Sequence, residues 1–210
     1  MEYRGYDVPE HDGQLKVEQC INLVDALEDR RPERIIEFSQ SGSTSTSIFN
    51  QYCKKYDKPL LIIETKTSYS SEKENVIAFP VVENTDVVVA NKTYGKCNKY
   101  DGFEAWLTEQ QDKFDFIFID DPVEYGLNRI NHYTYCRVQV LDFPLLDKLA
   151  NHAVIYYHDS NLKYAKNTLA ELDSILAEKN FAFERSQDIR DSLLVNTLGQ
   201  MTKYIITKNS

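Results

Sequence analysis

A short apolar strand that ends in an acid and a loop of small residues most constrains the fold of this chain. The segment reads Ile35-Ile36-Glu37-Phe38-Ser39-Gln40-Ser41-Gly42-Ser43-Thr44-Ser45, and a helix is predicted to follow directly. A strand, a tight loop and a helix in this order form the first turn of an α/β sheet, where nucleotide-type cofactors bind. The segment therefore predicts an α/β fold with a cofactor site at that turn.

Three later strand-like runs also end in residues that can bind a ligand or move a proton. The second strand ends in Glu64, the third in Asp120-Asp121 and the fourth in His158-Asp159. Ligands of open α/β sheets bind outside the carboxyl ends of the strands. We therefore expect these residues to converge above one edge of the sheet.

Apolar runs and helical periodicity alternate along the sequence, which is typical of a mostly parallel sheet covered on both faces. Strands are predicted at residues 34–38, 60–64, 75–82, 86–90, 114–119, 153–157, 181–184 and 203–207. Helices are predicted at residues 15–27, 46–55, 103–110, 141–149 and 162–178, with a loop over 91–101. The prediction is a single Rossmann-like domain over residues 1–210, a three-layer α/β sandwich of about seven strands with the last strand antiparallel. Residues 1–13 show no periodic pattern of apolar residues and are predicted to form an N-terminal arm.

The composition limits which binding partners and which cellular compartment are expected. A net charge of −9 argues against nucleic acid, because a protein that binds phosphate backbones needs a basic surface. No run approaches the roughly 18 apolar residues of a membrane span, and the polar N-terminus predicts no signal peptide. The cysteines show no CxxC spacing, as expected for thiols in a reduced compartment: Cys20, Cys53, Cys97 and Cys136. We therefore expect a cytoplasmic protein without membrane insertion.

Four segments together resemble the motifs of class I S-adenosylmethionine-dependent methyltransferases. Residues 37–44 resemble the first motif of that family, Glu-x-Gly-x-Gly-Gly-Ser-Thr. Glu64 matches the acid that the family uses on the cofactor ribose. Residues 116–122 (Phe-Ile-Phe-Ile-Asp-Asp-Pro) resemble the fourth motif, and residues 156–160 (Tyr-Tyr-His-Asp-Ser) resemble the end of the fifth strand. The motifs come in the family order and, with the elements around them, span residues 15–207.

The resemblance implies that S-adenosylmethionine binds along the loop, with Glu37 and Asp120 on either side of its methionine part. The implied cofactor-binding residues are Glu37, Ser39, Ser41, Gly42, Ser43, Thr44, Glu64 and Asp120. A carboxylate such as Glu64 accepts two ribose hydroxyl bonds at once; the alternative is a solvated strand end beside Lys66.

Two serines depart from the family motif. Ser39 and Ser41 stand where the family has glycine, and a left-handed serine costs on the order of 1–2 kcal/mol. The hydroxyls of the loop could instead bond the cofactor carboxylate beside the helix N-terminus. The alternative is that the segment is a flexible Ser/Thr-rich linker.

The Asp-rich strand ends also carry the candidate catalytic residues. Methyl transfer to a hydroxyl requires removal of its proton, by a general base or by a metal that acidifies it. His158 is the natural base, because the unperturbed pKa of histidine is about 6.5; the alternative is a hydrogen-bonded histidine that ends a strand. Asp121 and Asp159 are candidate catalytic residues and candidate ligands for Mg²⁺, which some sugar O-methyltransferases of this fold use.

The leading hypothesis from this resemblance is an S-adenosylmethionine-dependent O-methyltransferase with a small-molecule or glycan acceptor, most simply a sugar hydroxyl. Such a chain could also be one module of a larger biosynthetic protein. The alternatives are a methyltransferase acting on a phenol, and a nucleotide-sugar-dependent glycosyltransferase with Asp120 and Asp121 around a metal-bound diphosphate. A methyltransferase-like binding domain without catalysis is a further alternative. The GxGxxG spacing of dehydrogenases is absent from the sequence.

Overall fold

A seven-stranded sheet and the helices on either side of it form the body of the computed structural model. The structure describes residues 1–9, 15–39, 43–65, 76–79, 81–89, 92–120, 145–158, 163–187 and 201–209. The strands in these ranges are β1 (Glu2–Tyr3), β2 (Tyr6–Asp7), β3 (Ile35–Phe38), β4 (Leu60–Thr65), β5 (Val76–Phe79), β6 (Val81–Val89), β7 (Lys92–Tyr100), β8 (Phe114–Ile119), β9 (Leu149–Tyr157), β10 (Phe181–Gln187) and β11 (Thr202–Lys208). The helices are α1 (Val17–Arg30), α2 (Thr44–Tyr56), α3 (Phe103–Glu109) and α4 (Lys163–Glu178), with a 3-10 turn at Leu146–Lys148.

The main sheet has the strand order β10-β11-β9-β8-β3-β4-β5. Strands β9, β8, β3, β4 and β5 run parallel to one another, and β11 lies antiparallel between β9 and β10. The predicted seven-stranded, mostly parallel sheet is therefore confirmed, including its antiparallel last strand. Two further strand pairs form separate small sheets, β1 with β2 and β6 with β7.

The central strands are apolar on both faces because helices cover the sheet on both sides. In β3, Ile36 and Phe38 face one side and Ile35 faces the other, since alternate residues of a strand point to opposite faces. Helices α3 and α4 pack on the first face through Leu107 and Leu172, and helices α1 and α2 pack on the second. The predicted three-layer α/β sandwich is thus confirmed. No helix within the described ranges is both long and apolar enough to cross a membrane.

The segment between β5 and α3 differs from the sequence prediction. The predicted loop over 91–101 is wrong, because Lys92–Tyr100 forms β7, which pairs antiparallel with β6. The single strand predicted over 75–82 is two strands, Val76–Phe79 in the main sheet and the start of β6 at Val81. The partner strand supplies the hydrogen bonds of β7. The sequence of β7, Lys-Thr-Tyr-Gly-Lys-Cys-Asn-Lys-Tyr, has no apolar alternation that would indicate a strand.

The helix predicted over 141–149 is wrong at its C-terminal end. Residues 141–144 lie outside the described ranges, Leu146–Lys148 forms one 3-10 turn, and β9 begins at Leu149. Leu146 and Leu149 are spaced as on a helix face, which explains the prediction. Both side chains nevertheless reach the core, one from the turn and the other from the strand.

The N-terminal arm packs against α1 and α2 through a buried carboxylate, that of Glu28. Glu28 Oε1 accepts hydrogen bonds from the hydroxyls of Tyr6 and Tyr56, at 2.7 and 2.9 Å, and from Lys55 Nζ at 2.8 Å. Burial alone raises the pKa of Glu28, but the bonds from Lys55, Tyr6 and Tyr56 outweigh it and lower the pKa to about 2. The β1–β2 hairpin is therefore tied to both helices; residues 10–13 of the predicted arm lie outside the described ranges.

Candidate functional site

Four neighbouring strands reach one edge of the main sheet in register; β3, β8 and β9 end there, and β4 continues to Thr65. One row of paired residues crosses them, formed by Ile63, Phe38, Ile119 and Tyr157. The next residue along each strand lies at the carboxyl edge, and we call these four residues the edge row: Glu64, Ser39, Asp120 and His158. Neighbouring strands are about 4.8 Å apart, so the edge row spans about 14 Å. The sheet therefore gathers one residue from each predicted strand end.

Backbone hydrogen bonds hold the edge row on the sheet. The amides of Asp120 and His158 donate to the carbonyls of Phe38 and Ile119, at 2.8 and 3.0 Å. Each bond continues the parallel ladder one residue past the paired row. The backbone positions of Asp120 and His158 are therefore set by the sheet itself.

His158 and Asp120 also contact each other through their side chains. His158 Nδ1 lies 3.0 Å from Asp120 Oδ1. The histidine is 5% exposed, and the Asp120 side chain is 22% exposed. A carboxylate at this distance favours the tautomer with its proton on Nδ1, which directs proton acceptance to Nε2. The pair has the arrangement of a general base with its orienting acid.

Glu37 is enclosed by the first turn of α2 and is 0% exposed. Ser45 Oγ and Thr46 Oγ1 donate to its two carboxyl oxygens, at 2.5 and 2.9 Å, and Ser43 Oγ donates to Oε1 at 3.3 Å. Burial raises the pKa of Glu37 to about 7, with a further rise from the nearby Asp120, although the hydroxyl bonds lower it. Glu37 therefore joins β3 to the helix that follows it, and its role as a cofactor contact stays a prediction.

The described loop residues form the cap of α2. Ser43 Oγ accepts a hydrogen bond from the Thr46 amide at 3.2 Å. Serine is favoured at this position because its oxygen satisfies an amide that has no partner within the helix. Thr44 begins the helix and is buried, as is Ser39 at the end of the strand. The helix thus starts within a few residues of the strand end, as the sequence predicts.

Several predicted site residues lie outside the described part of the chain: Ser41, Gly42, Asp121 and Asp159. For Glu64 the structure describes the backbone in β4 and not the side chain. The Mg²⁺ site at Asp121 and Asp159 therefore stays a prediction. Within the described ranges, no three His, Cys, Asp or Glu side chains come together as metal ligands would.

Two sets of contacts at this edge were missed by the sequence reasoning. It placed Asp120 beside the cofactor and did not pair it with His158. The sequence shows that each residue directly follows an apolar strand, and the structure adds that these two strands are neighbours. It also missed Ser45 and Thr46, whose hydroxyls contact Glu37. Hydroxyl residues in the first turn after a strand-end acid are the pattern that indicates such contacts.

The fold is shared with solved structures. No protein-family model matches the sequence, and a search of curated proteins finds no significant match. The O-methyltransferase TomG from Streptomyces achromogenes, involved in tomaymycin synthesis and solved with S-adenosylmethionine, aligns with a TM-score of 0.57 and 13% identity over 92% of this chain and 81% of its own. A protein from Klebsiella pneumoniae that is proposed to be an O-methyltransferase aligns with a TM-score of 0.53 and 13% identity over 95% and 84% of the two chains. At these identities the likeness shows the fold alone.

Proposed function

We propose that this protein is an S-adenosylmethionine-dependent O-methyltransferase. The observation that carries the proposal is the edge row, where a strand-end acid, the opening of the loop and an acid–histidine pair stand side by side. Ligands of open α/β sheets bind at this edge. The fold shared with TomG, an O-methyltransferase solved with S-adenosylmethionine, supports the same cofactor here.

The residues near the edge row suit this cofactor by their chemistry. The first backbone amides of α2 favour a carboxylate, and the cofactor carries one. Glu64 would accept hydrogen bonds from the ribose hydroxyls, and Asp120 would attract the cofactor ammonium group. We assign Glu37 a positioning role, because its oxygens hold Ser45 and Thr46 in the first turn of α2.

The acid–histidine pair would do the proton chemistry. S-adenosylmethionine supplies an electrophilic methyl group when it is bound. His158 Nε2 would accept the proton of the acceptor hydroxyl, while Asp120 holds the ring through Nδ1 and stabilises the imidazolium. The low exposure of the His158 side chain, 7%, limits competition from bulk water for this base.

For the acceptor we propose a sugar or glycan hydroxyl. The acid-rich strand ends and the net charge of −9 support a neutral, hydroxyl-rich ligand, for which carboxylates are good hydrogen-bond acceptors. Turnover with panels of monosaccharides and of phenols would separate this acceptor from a phenolic one. We also propose one methyltransferase domain over residues 1–210, in the cytoplasm, alone or as a module of a larger biosynthetic protein. The buried Cys53 is a free thiol, which supports a reduced compartment.

Mg²⁺ would take part in the reaction only through Asp121 and Asp159. Carboxylate oxygens are the ligands that Mg²⁺ prefers in proteins. Treatment with EDTA, followed by added Mg²⁺, tests this directly. Loss and recovery of turnover would support the metal, whereas full turnover after EDTA would exclude it from the reaction.

A methyltransferase-like binding domain without catalysis is the second candidate. The burial of His158 favours it, because an acceptor must reach Nε2 to give up its proton. This candidate predicts cofactor binding without methyl transfer to any acceptor.

Calorimetric titration with S-adenosylmethionine and S-adenosylhomocysteine tests the proposal. Both ligands should bind the full-length chain. Absence of binding of either ligand at millimolar concentration would overturn the methyltransferase proposal. Binding of a uridine or guanosine diphosphate sugar, with indifference to S-adenosylmethionine, would replace it with the glycosyltransferase alternative.

A further inference from the structure

A cavity of about 600 Å³ opens between helix α1 and the ends of strands β9 and β11. Its lining includes Asn22, Asp25, Asp29 and Arg30 of α1, Tyr156 of β9 and Lys203 of β11. Cavities of about 300–1,000 Å³ hold small-molecule ligands. The roles assigned above to the edge row and to α2 use none of these residues.

Two residues that line this cavity, Lys203 of β11 and Arg30 of α1, are cations. In the part of the chain that the structure describes, neither Lys203 nor Arg30 has a carboxylate within ion-pair distance. The Lys203 ammonium lies 5.7 Å from the centre of the Tyr156 ring. Burial and the nearby Arg30 charge lower the pKa of Lys203, so the two cations are close enough to repel each other. A pair of cations in this setting attracts an anion.

The two aspartates of the cavity are already engaged. Arg4 donates to Asp25 Oδ1 at 2.8 Å and to Asp29 Oδ1 at 3.1 Å, and the Tyr3 hydroxyl donates to Asp25 at 2.9 Å. Their charges only partly offset the lowering of the Lys203 pKa. A half-buried ammonium without a counter-ion is costly, and an anionic ligand would offset that cost through charge-assisted hydrogen bonds.

The cavity borders the edge row. Lys203 is the register partner of Tyr156, and Tyr156 precedes His158 by two residues, about 7 Å along the strand. The Tyr156 hydroxyl donates to the Asn22 carbonyl at 3.4 Å, which holds the ring against α1. One wall of the cavity is therefore fixed close to the acid–histidine pair.

We propose that this cavity binds a small organic anion, a phosphorylated or carboxylated molecule of about sugar size. Its anionic group lies on Lys203 and Arg30, the two kinds of side chain that bind phosphates and carboxylates. The apolar part of the lining, which includes Ala26, Tyr156 and Met201, faces the body of the ligand. The inference concerns binding alone and does not rest on the proposed methyl transfer.

Calorimetric titration of the full-length chain without cofactor tests the site, with glucose 6-phosphate, inorganic phosphate and glucose as probes. Glucose 6-phosphate should bind saturably and more tightly than inorganic phosphate or glucose. Lys203→Met removes the charge and keeps an unbranched side chain, so it should weaken glucose 6-phosphate binding by about tenfold or more. Lys208→Met, at an exposed lysine of the same strand, is the matched control and should bind like the unmodified protein.

Arg30→Gln, at an exposed helix position, gives a second variant that does not depend on the folding of Lys203→Met. It should weaken glucose 6-phosphate binding by a similar factor. The site would be overturned if glucose 6-phosphate did not bind the unmodified protein saturably. It would also be overturned if both variants bound glucose 6-phosphate as tightly as the unmodified protein does. Equal affinity for inorganic phosphate, or for glucose, would overturn its assignment to an organic anion.

Titration of the same samples with S-adenosylhomocysteine separates this inference from the proposed function. Retained S-adenosylhomocysteine binding by a variant that has lost glucose 6-phosphate binding supports a separate anion site. Loss of both ligands in a folded variant would overturn it as a separate site. Binding of glucose 6-phosphate by a protein that binds no S-adenosylhomocysteine supports the anion site and overturns the proposed function alone.

Discussion

The imidazole of His158 and the carboxylate of Asp120 meet across two neighbouring parallel strands, with Nδ1 3.0 Å from Oδ1. Their backbone amides are held by the same sheet edge. The pairing therefore depends on strand register, and a shift of either strand by one residue would turn one side chain to the opposite face.

We expect His158→Ala to lower turnover by about 10²–10⁴, the usual contribution of a positioned base, with nearly unchanged cofactor affinity. Asp120→Asn should also lower turnover, and the double variant should lose little more than His158→Ala, because paired residues act as a unit. Steady-state kinetics and calorimetry measure the two quantities. His152→Ala, at an exposed histidine of the same strand, is the control. Unchanged turnover in His158→Ala would place the base elsewhere.

Glu37→Gln should be better tolerated at alkaline pH than at acid pH. A free glutamate titrates at about 4.3, whereas the pKa of Glu37 in the fold is about 7. Between these values the folded state holds a proton that the unfolded state has lost, so stability falls as pH rises through this window. Glutamine has no such proton to lose. The free energy of unfolding of Glu37→Gln, relative to that of the unmodified protein, should therefore be about 1–3 kcal/mol higher at pH 8 than at pH 4. Urea unfolding at the two pH values measures this. The same stability difference at both pH values would show that Glu37 ionises normally.

Glu28→Gln should have the opposite pH dependence. The pKa of Glu28 is lowered to about 2, so its ionised form stabilises the fold at pH values above the ordinary pKa of glutamate. This stabilisation is lost as the pH falls from about 4.3 towards 2. At pH 7 the variant should lose about 1–3 kcal/mol, and the loss should shrink in acid.

Denaturant unfolding at pH 7 and pH 3 measures the loss in Glu28→Gln. The control is Glu18→Gln, at an exposed position of the same helix, which should change stability by less than about 0.5 kcal/mol. A deficit in Glu28→Gln that is equal at both pH values would assign the effect to packing rather than charge.

Glu64→Ala should weaken S-adenosylhomocysteine binding by about 1.5–3 kcal/mol, the scale of a hydrogen bond to a charged group. S-adenosylhomocysteine is suited to the titration because it carries no methyl group to transfer. Glu109→Ala, at an exposed acid that ends α3, controls for the loss of one negative charge. Equal affinity in Glu64→Ala and Glu109→Ala would remove Glu64 from the cofactor site.

Strands buried on both faces are predictable because burial on both sides requires consecutive apolar residues. Phe114–Ile119 has the predicted bounds, and Leu60–Thr65 differs by one residue. Lys92–Tyr100 carries no such pattern, since its strand structure comes from pairing with Val81–Val89. Pairing with a partner strand outside the main sheet leaves little trace in the local sequence.

For the candidate site, the sequence predicted where residues lie along the strands better than which side chains they contact. Sequence reasoning placed Asp120 and His158 directly after strands, where they follow β8 and β9, and ended β4 at Glu64, one residue before its last residue Thr65. It could not give the partner of each side chain, because that depends on strand order and on how α2 packs. Glu37 illustrates this, since its closest partners are the hydroxyls of the following helix.

Strand β11 lies between β9 and β10 although it follows both in the chain. During synthesis β10 has no place in the sheet until residues 202–208 leave the ribosome, because β11 is its only neighbour in the main sheet of the described chain. Both strands therefore add to the sheet in one late step, after the parallel strands can pair. Until then the nascent chain presents β9 as an open edge, the kind of surface on which unfinished chains aggregate.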